Sequence, residues 1–120
     1  MQTLGVVPRL FPDIVAGRKT STIRWREGPI VPGLLRYVCD DDPALMAIVR
    51  VTRVTAIPLR AAAAWLGRQD DWPDAVMLEG MREHYPAITL DDIVDVVEHL
   101  TPEETDTGRH DPADTTEPLR

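Results

Sequence analysis

The stretch FPDIVAGRKTSTIR, residues 11–24, holds the signals for a helix, a turn and a strand in immediate succession. Pro12 can occupy the first turn of a helix, and Gly17 is a natural residue for the cap at its C-terminal end. The β-branched and aromatic residues from Ser21 to Trp25 then favour a strand. The stretch therefore predicts a helix-to-strand junction that exposes backbone N–H groups and short hydroxyl side chains at the mouth of a sheet.

Lys19 lies at the start of this strand and is the only lysine among the thirteen Lys and Arg residues of the chain. It precedes Thr22 by three residues, and Thr22 shares a strand face with Arg24. A neutral amine close to a hydroxyl can act as the base that activates it as a nucleophile. Partial burial, or cationic neighbours such as Arg18 and Arg24, would favour the neutral amine. A guanidinium stays protonated at any relevant pH. Lys19 is therefore a candidate catalytic residue, and a surface lysine beside a threonine by chance is the alternative.

The rest of the pattern predicts an α+β domain. Strands are expected before Pro8, at LLRYVC and along the β-rich segment from Leu45 to Ile57. Because the inward-facing positions of that long segment change parity, we expect a bulge or sharp bend near Thr52–Arg53. The stretches LRAAAAWLG and DDWPDAVMLEGMREHYP each predict a helix, whereas ITLDDIVDVVEHL fits a helical period slightly better than a strand.

Residues 101–120 are poor in large apolar side chains and rich in Pro, Thr, Asp and Glu. Such a composition does not offset the entropy lost on ordering, so we expect a disordered acidic tail and a folded domain over residues 1–100. No apolar run approaches the ~20 residues of a membrane-spanning helix. The N-terminus lacks the pattern of a secretory signal. We therefore expect a cytoplasmic protein that does not contact a membrane.

The sequence shows no spacing typical of metal ligands, since its three histidines are far apart and Cys39 has no neighbouring ligand. We therefore predict neither a metal site nor a cofactor. The charge is unevenly distributed, because residues 1–68 carry ten basic and five acidic side chains, whereas residues 69–100 carry one and nine. This asymmetry is compatible with a basic face for an anionic or nucleotide-like ligand, and also with an ordinary mixed surface.

The stretch FPDIVAGRKTSTIR resembles the signature of ASCH-domain proteins, in which a helix ends in glycine and leads into K-T-x-T-x-R. The resemblance is specific over residues 11–25 and extends to about Leu100, including the YP after the second long helix. It implies a small PUA-like β-barrel of about five to six strands with two to three short helices. In that fold the last segment closes the barrel, so the resemblance predicts a strand over Asp92–His99.

Some bacterial ASCH-domain proteins are small amidohydrolases that remove the acetyl group from N(4)-acetylcytidine, whereas others are described as RNA-binding or as ribonucleases. For the amidohydrolase branch, the resemblance implies a catalytic lysine, a threonine three residues later and a carboxylate before the second helix. These residues fall on Lys19, Thr22 and Asp70. The branch has a glutamate where this chain has Asp70, and Asp71 beside it is the alternative carboxylate.

The resemblance implies that Thr22 attacks the amide carbonyl, and that Lys19 takes its proton or supports the oxyanion. Asp70 would protonate the departing exocyclic amine and then activate the water that releases acetate. The predicted substrate-binding residues are Arg18, Thr20, Arg24 and Trp25, with Trp65 as a second candidate for stacking on the pyrimidine ring. We therefore predict an amidohydrolase that acts, without a cofactor, on N(4)-acetylcytidine or a similar nucleoside or RNA-derived small molecule.

The competing interpretation is a non-catalytic module that binds a nucleotide or single-stranded RNA. The basic side chains around the junction would then contact phosphates or base edges, and Thr22 would only donate a hydrogen bond. Affinity for RNA would fall steeply with salt, whereas hydrolysis of a neutral nucleoside would be nearly indifferent to it. Metal-independent RNA cleavage is a third interpretation. The net charge of −7 and the aromatic fraction of 5% favour a small ligand over a long strand. The sequence does not indicate an oligomeric state.

Overall fold

A five-stranded mixed sheet forms the body of the molecule and curves into a half-barrel. The computed structural model describes residues 1–110. The strands are β1 (Gln2–Val6), β2 (Ser21–Arg24), β3 (Gly33–Cys39), β4 (Asp42–Pro58) and β5 (Ile93–His99). The helices are α1 (Phe11–Val15), α2 (Leu59–Trp65), α3 (Asp74–Arg82) and α4 (Pro102–His110). None of these helices is long and apolar enough to cross a membrane. The α+β class and the small PUA-like barrel are confirmed, with one helix more than the two to three expected.

The segment Ile93–His99 is a strand. The resemblance predicted this strand, whereas the period of its apolar residues slightly favoured a helix. β5 lies between β4 and β2, in the strand order β1-β3-β4-β5-β2. β1 runs parallel to β3, and the other three pairings are antiparallel. The two edge strands approach each other where Nη2 of Arg24 in β2 donates to the carbonyl oxygen of Gly5 in β1 at 2.9 Å. One side chain thus links the two edges of the half-barrel.

The long strand β4 pairs with two neighbours in turn. Its first part is hydrogen-bonded to β3 and its second part to β5, and the register against β5 shifts between Val51 and Arg53. This irregularity confirms the bulge or bend predicted near Thr52–Arg53. An extra residue at this point turns the strand, so that both of its parts keep apolar side chains against the core.

The core consists of two apolar clusters that share β5, with Val97 in the first and Val94 and Val96 in the second. The first contains residues of β1, β3, β4 and α1, among them Ile14 and Leu35. The second contains residues of α2, α3 and β5, among them Leu59 and Val96, and Ile23 of β2 packs against it. Because successive side chains of a strand point to opposite faces, Thr22 and Arg24 are directed away from this second cluster. β2 thereby places its polar residues together on one side.

Helix α4 extends the ordered chain past Leu100, where we expected the folded domain to end. Oγ1 of Thr101 accepts from the N–H of Glu104 at 3.0 Å, and the Glu104 carboxylate accepts from the N–H of Thr101 at 3.0 Å. This reciprocal arrangement is a capping box. Thr105 is 1% exposed and accepts from the N–H of Arg50 in β4. Composition alone does not reveal one capped helix that packs on the sheet. Residues 111–120, the remainder of the predicted tail, lie outside the described residues.

Candidate active site

The turn between α1 and β2 brings Lys19 to the site. Gly17, in this turn, has a φ of 80°, in the left-handed region that favours glycine. A Cβ atom on Gly17 would also lie 2.9 Å from Cγ2 of Thr101. The N–H groups of Arg18 and Lys19 both donate to the carbonyl oxygen of Asp13, at 2.9 and 3.0 Å. Position 17 therefore requires glycine. The turn that contains it determines where β2 begins.

A cavity of about 710 Å³ opens between the sheet edges formed by β1 and β2 and the helix α3. Lys19, Thr22 and Arg24 line its sheet side. The facing wall comes from α3 and the turns that flank it, with Trp72, Val76, Met77, Met81 and Tyr85. A volume of this size suits a small molecule. The structure thus places the lysine, the threonine and the arginine of the predicted motif in one cavity.

The charged side chains that line the cavity are balanced in number. The cationic ones are Arg9, Lys19 and Arg24, and the carboxylates are Glu27, Asp40 and Glu83. Nη2 of Arg9 lies 2.7 Å from Oε1 of Glu83, and Nη1 of Arg24 lies 3.3 Å from Oε1 of Glu27. The uneven distribution of charge along the sequence therefore does not produce a purely basic cavity. Such a lining suits a neutral polar ligand better than a chain of phosphates.

Lys19 is half-buried at the side of this cavity. Burial lowers the pKa of Lys19 to about 8, and the positive charges of Arg24 and Arg68 act in the same direction, while Asp13 opposes them. With that pKa, about half of the molecules carry a neutral amine at pH 8. Burial and a cationic neighbour, the two causes that the sequence suggested for a neutral amine, therefore both act on Lys19. Of the two suggested cations, Arg18 and Arg24, it is Arg24 that contributes.

Thr22 and Arg24 are joined by a direct hydrogen bond. Thr22 is only 5% exposed, and Nε of Arg24 donates to its Oγ1 at 2.8 Å. The same guanidinium donates from Nη1 to Glu27 at 3.3 Å and from Nη2 to Gly5 at 2.9 Å, and its side chain is 12% exposed. These partners hold the planar guanidinium in one orientation. Arg24 is thus a member of an ion pair and lines the cavity at the same time.

Glu27 is a carboxylate of the cavity that the sequence analysis did not select. It accepts hydrogen bonds from Arg24 and from the hydroxyl of Tyr85. Burial raises the pKa of Tyr85 to about 12, and its hydrogen bond to Glu27 acts in the same direction, so the phenol is a donor at neutral pH. The available signal was the acidic residue three positions after Arg24, immediately before a turn at Gly28. That signal does not show which way the turn folds.

Asp70 is not brought into the cavity. It lies in the exposed turn between α2 and α3 and is not among the residues that line the cavity. Asp71, the alternative carboxylate, is also exposed, and its Oδ2 lies 3.1 Å from Nε of Arg68. Asp70 was assigned by counting back along the chain from the YP motif at residues 85–86, and Asp71 was the alternative because it is adjacent. The path of the turn between two helices depends on their packing, which that count does not contain.

Of the four predicted substrate-binding residues, only Arg24 lines the cavity. Arg18 is exposed and pairs with Asp13, with 2.9 Å between Nη2 and Oδ1. Thr20 is exposed, and its carbonyl oxygen accepts from the N–H of His99 at 3.0 Å. These two residues belong to the turn and the sheet pairing that position Lys19 and Thr22.

The tryptophan that lines the cavity is also different from the two that were predicted. Trp25 packs edge-to-face on Tyr85, with 5.9 Å between the ring centroids, and does not line the cavity. Trp65 is 43% exposed, and its indole N–H donates to Glu98 at 3.1 Å. Trp72, which the sequence analysis did not select, lines the cavity from the turn before α3. The parity of β2 explains the position of Trp25, because it follows Ile23 toward the second cluster.

Two solved structures resemble this arrangement of strands and helices. ZmASCH from Zymomonas mobilis, in a variant with one tyrosine changed to phenylalanine, matches with a TM-score of 0.61 and 12% identity over 82% of this chain and 67% of that one. The chain has an ASCH-like fold. A DUF984 protein from Enterococcus faecalis also matches, with a TM-score of 0.57 and 18% identity. The match covers 84% of this chain and 73% of the Enterococcus protein. In sequence, no family model and no curated protein matches. The ASCH-like fold is therefore confirmed, and the amidohydrolase branch stays a prediction.

Proposed function

We propose that the protein is a small amidohydrolase that removes the acyl group from an acylated pyrimidine nucleoside such as N(4)-acetylcytidine. One observation carries the proposal. A buried hydroxyl, that of Thr22, and an amine with a pKa of about 8, that of Lys19, line the same cavity. A hydroxyl and a titrating amine together supply the nucleophile and the proton exchange that amide hydrolysis needs.

The reaction uses three residues of β2 and the turn before it. Oγ1 of Thr22 attacks the amide carbonyl and forms an ester with the acyl group. Arg24 donates to this oxygen at 2.8 Å and stabilises negative charge on it. The neutral Lys19 amine takes the proton of Thr22 during this attack, and the resulting ammonium gives a proton to the departing exocyclic amine. The neutral amine then takes a proton from the water that hydrolyses the ester and returns it to Oγ1 of Thr22 as the carboxylic acid leaves. A pKa of about 8 suits both steps, because neither form of the amine is scarce near neutral pH.

Glu27, and not Asp70, supplies the carboxylate of the proposed site, and it positions other groups while Lys19 transfers the protons. Its carboxylate holds Arg24 in position and accepts from Tyr85. A carboxylate also has acceptor capacity for the amide N–H of an acylated cytosine. Trp72 offers an aromatic surface on the opposite wall, and base stacking on such a surface contributes about 1–3 kcal/mol.

The balance of charge around the cavity favours a neutral nucleoside over RNA. Each of Arg9 and Arg24 is paired with a carboxylate, so neither is free to contact a phosphate without giving up that partner. An RNA-binding site needs several unpaired cations along a groove. This observation supports the amidohydrolase over the RNA-binding alternative, and it predicts that activity hardly depends on salt.

Incubation of the protein with N(4)-acetylcytidine, followed by chromatographic detection of cytidine, tests the proposal. We expect hydrolysis by the wild type and its loss in Lys19→Arg, which keeps the charge but cannot become neutral near pH 8. Arg60→Gln is the matched control, since Arg60 is exposed, pairs with Asp91 and does not line the cavity. We expect it to retain wild-type activity.

Absence of cytidine formation by the wild type would refute the amidohydrolase proposal. Salt-sensitive retention of RNA without hydrolysis of the nucleoside would support the binding module instead. Fragmentation of a labelled oligonucleotide would support the ribonuclease interpretation.

A further inference from the structure

The residues that line the cavity divide into a buried inner part and an exposed rim. Thr22 is 5% exposed, and the side chain of Arg24 is 12% exposed. Arg9, Gly80 and Glu83 line the same cavity but are exposed to solvent. The proposed chemistry takes place at the inner part. The rim therefore contacts whatever part of the substrate lies beyond the acyl group and the base.

The chemical structure of an acylated cytidine decides which part of it reaches the rim. The exocyclic nitrogen that carries the acyl group is attached to C4 of the pyrimidine ring, and the sugar is attached to N1, directly across the ring. When the acyl carbon lies at Oγ1 of Thr22, the bond to the sugar therefore points away from the buried threonine and toward solvent. A cavity of about 710 Å³ has room for the sugar as well as the base.

Gly80 leaves an open space at the rim. It lies inside α3, where glycine is less favourable than alanine because it loses more backbone freedom on folding. Its φ is not in the left-handed region, and a Cβ atom built on it would have no atom of the rest of the described chain within 4 Å. Neither backbone conformation nor packing therefore requires a glycine here. A glycine at such a position admits a ligand close to the helix backbone.

Three residues of α3 and its C-cap follow one another along the face that lines the rim. Val76, Gly80 and Glu83 are spaced by four and three residues, which places them on one side of a helix. This face offers an exposed apolar side chain, the open space at Gly80 and a carboxylate, in that order. A sugar ring in the open space would have Val76 on one side and Glu83 on the other.

The ion pair of Arg9 and Glu83 joins the two walls of the cavity at the rim. Arg9 lies in the turn between β1 and α1, and its Nη2 donates to Oε1 of Glu83 at 2.7 Å. Within residues 1–110 this is the only side-chain hydrogen bond of either residue, so the second carboxylate oxygen and further guanidinium N–H groups can bind a ligand. A carboxylate accepts from a hydroxyl, and a guanidinium donates to one. The intact pair therefore suits two adjacent hydroxyl groups.

The charge of the rim favours hydroxyl groups over a phosphate. Among the described residues that are exposed and line the cavity, the carboxylates Glu27, Asp40 and Glu83 outnumber the one arginine, Arg9. These carboxylates would repel a phosphate on the sugar, whereas a neutral hydroxyl meets no such repulsion.

We propose that the open space at Gly80 and the Arg9–Glu83 pair form a sugar subsite, in which Glu83 accepts from the adjacent hydroxyls of a ribose and Arg9 donates to them. The position of the base in this proposal rests on the proposed function. The sugar subsite selects a ribonucleoside over a free acylated base, a deoxyribonucleoside and a nucleotide.

Calorimetric titration with three ligands tests the sugar subsite without any catalysis. Cytidine has both hydroxyls, deoxycytidine lacks one of them, and cytosine lacks the sugar. We expect the wild type to bind cytidine about 5- to 10-fold more tightly than deoxycytidine, and cytosine more weakly than either. Cytidine that binds no more tightly than deoxycytidine would overturn the sugar subsite.

Glu83→Ala distinguishes recognition of the hydroxyls from a purely structural ion pair. We expect its affinities for cytidine and deoxycytidine to lie within about twofold of each other, and its affinity for cytosine to stay within about twofold of the wild type. A structural role predicts equal losses for all three ligands, and that result would overturn the proposal. Glu79→Ala is the matched control, because Glu79 is an exposed residue of α3 that does not line the cavity. We expect it to bind all three ligands as the wild type does.

Gly80→Ala should change stability and binding in opposite directions. The methyl group favours the helix and meets no protein atom, so we expect a higher unfolding temperature. The same methyl group occupies the place of the sugar, so we expect the affinity for cytidine to fall by about fivefold or more and that for cytosine by less than about twofold. Wild-type affinity for cytidine, or an equal loss for cytosine, would overturn the sugar subsite.

Kinetics separate failure of the sugar subsite from failure of the proposed function. Equal kcat/KM for the N(4)-acetyl derivatives of cytidine, deoxycytidine and cytosine would leave the amidohydrolase in place and overturn the sugar subsite. Preferential binding of cytidine that Glu83→Ala removes, without hydrolysis of N(4)-acetylcytidine, would support the sugar subsite and refute the amidohydrolase.

Discussion

Replacement of Lys19 by methionine should stabilise the folded protein at neutral pH while it abolishes hydrolysis. Methionine keeps a long unbranched stem in the same half-buried position but carries no charge. The protein then no longer holds a cation in a place where burial and Arg24 disfavour it. The variant therefore separates the cost of the amine to the fold from its use in the reaction.

The magnitude follows from the pKa. Burial lowers the pKa of Lys19 from 10.5 to about 8. A pKa change of one corresponds to about 1.4 kcal/mol, so the charged form costs the folded state about 3 kcal/mol. Loss of the hydrogen bond from Nζ to Ser21 offsets about 1 kcal/mol of this. We expect the free energy of unfolding at pH 7 to rise by about 1–2 kcal/mol, which is roughly 5–10 °C in Tm for a domain of this size.

The sign of the pH dependence is fixed by the direction of the pKa change. Because the folded pKa is the lower one, the unfolded chain binds more protons between pH 8 and 10.5, and the stability contributed by Lys19 rises with pH across that window. Lys19→Met lacks this rise. Tyr37 and Tyr85 are present in both proteins, so their contribution to the pH dependence cancels when the free energies of unfolding of variant and wild type are subtracted.

Urea unfolding at a series of pH values on both sides of about 8 measures the effect. Arg60→Met is the control, because it also removes one cation, but an exposed one that pairs with Asp91 at the surface. We expect this control to stay within about 0.5 kcal/mol of the wild type throughout. The reasoning would be refuted if Lys19→Met were no more stable than the wild type at neutral pH, or if the difference did not shrink as the pH rises.

Three further substitutions address the site and the turn that positions it. Thr22→Val should abolish hydrolysis of N(4)-acetylcytidine and leave the circular dichroism spectrum unchanged, and any residual turnover above background would remove Thr22 as the nucleophile. Glu27→Gln should lower kcat by about 10-fold or more, whereas Asp70→Asn should change it by less than about twofold; the opposite order would restore Asp70 to the site. Gly17→Ala should destabilise the protein by about 2 kcal/mol or more in urea unfolding, against about 1 kcal/mol for Gly67→Ala, because both have positive φ but only Gly17 has a neighbour in the way. Equal effects of the two alanines would contradict the proposed collision.

Local signals were sufficient for the elements and for part of the site. Gly17 ends the turn after α1 because of its own backbone conformation, and the alternation of β2 follows from the geometry of a single strand. The bulge near Thr52–Arg53 could be predicted because the change of parity is written in consecutive residues of β4. The strand at Ile93–His99 could not be predicted from its period. This strand is buried on both faces, so its sequence lacks a regular alternation of apolar and polar residues. There the resemblance supplied what the pattern lacked.

The membership of the site was harder to predict when its residues were distant in sequence. Lys19 and Thr22 are neighbours on one turn and one strand, and their chemistry could be read directly. Glu27 enters the cavity only because the turn after β2 folds back beneath Tyr85, and Asp70 stays outside it because of the path between α2 and α3. Similar reasoning applies to Trp72, whose position depends on how α3 packs across the sheet.

The sequence by itself determined the junction of α1 and β2, the lone lysine at its end and the α+β character of the domain, since each depends on residues a few positions apart. Only the tertiary structure decided which carboxylate and which tryptophan line the cavity, and that Oη of Tyr37 lies 2.9 Å from Nε2 of His99. Those two residues lie on β3 and β5, which flank β4 in the sheet. Their hydrogen bond exists because both strands pair with β4, and the lowered pKa of Lys19 exists because the same packing buries it.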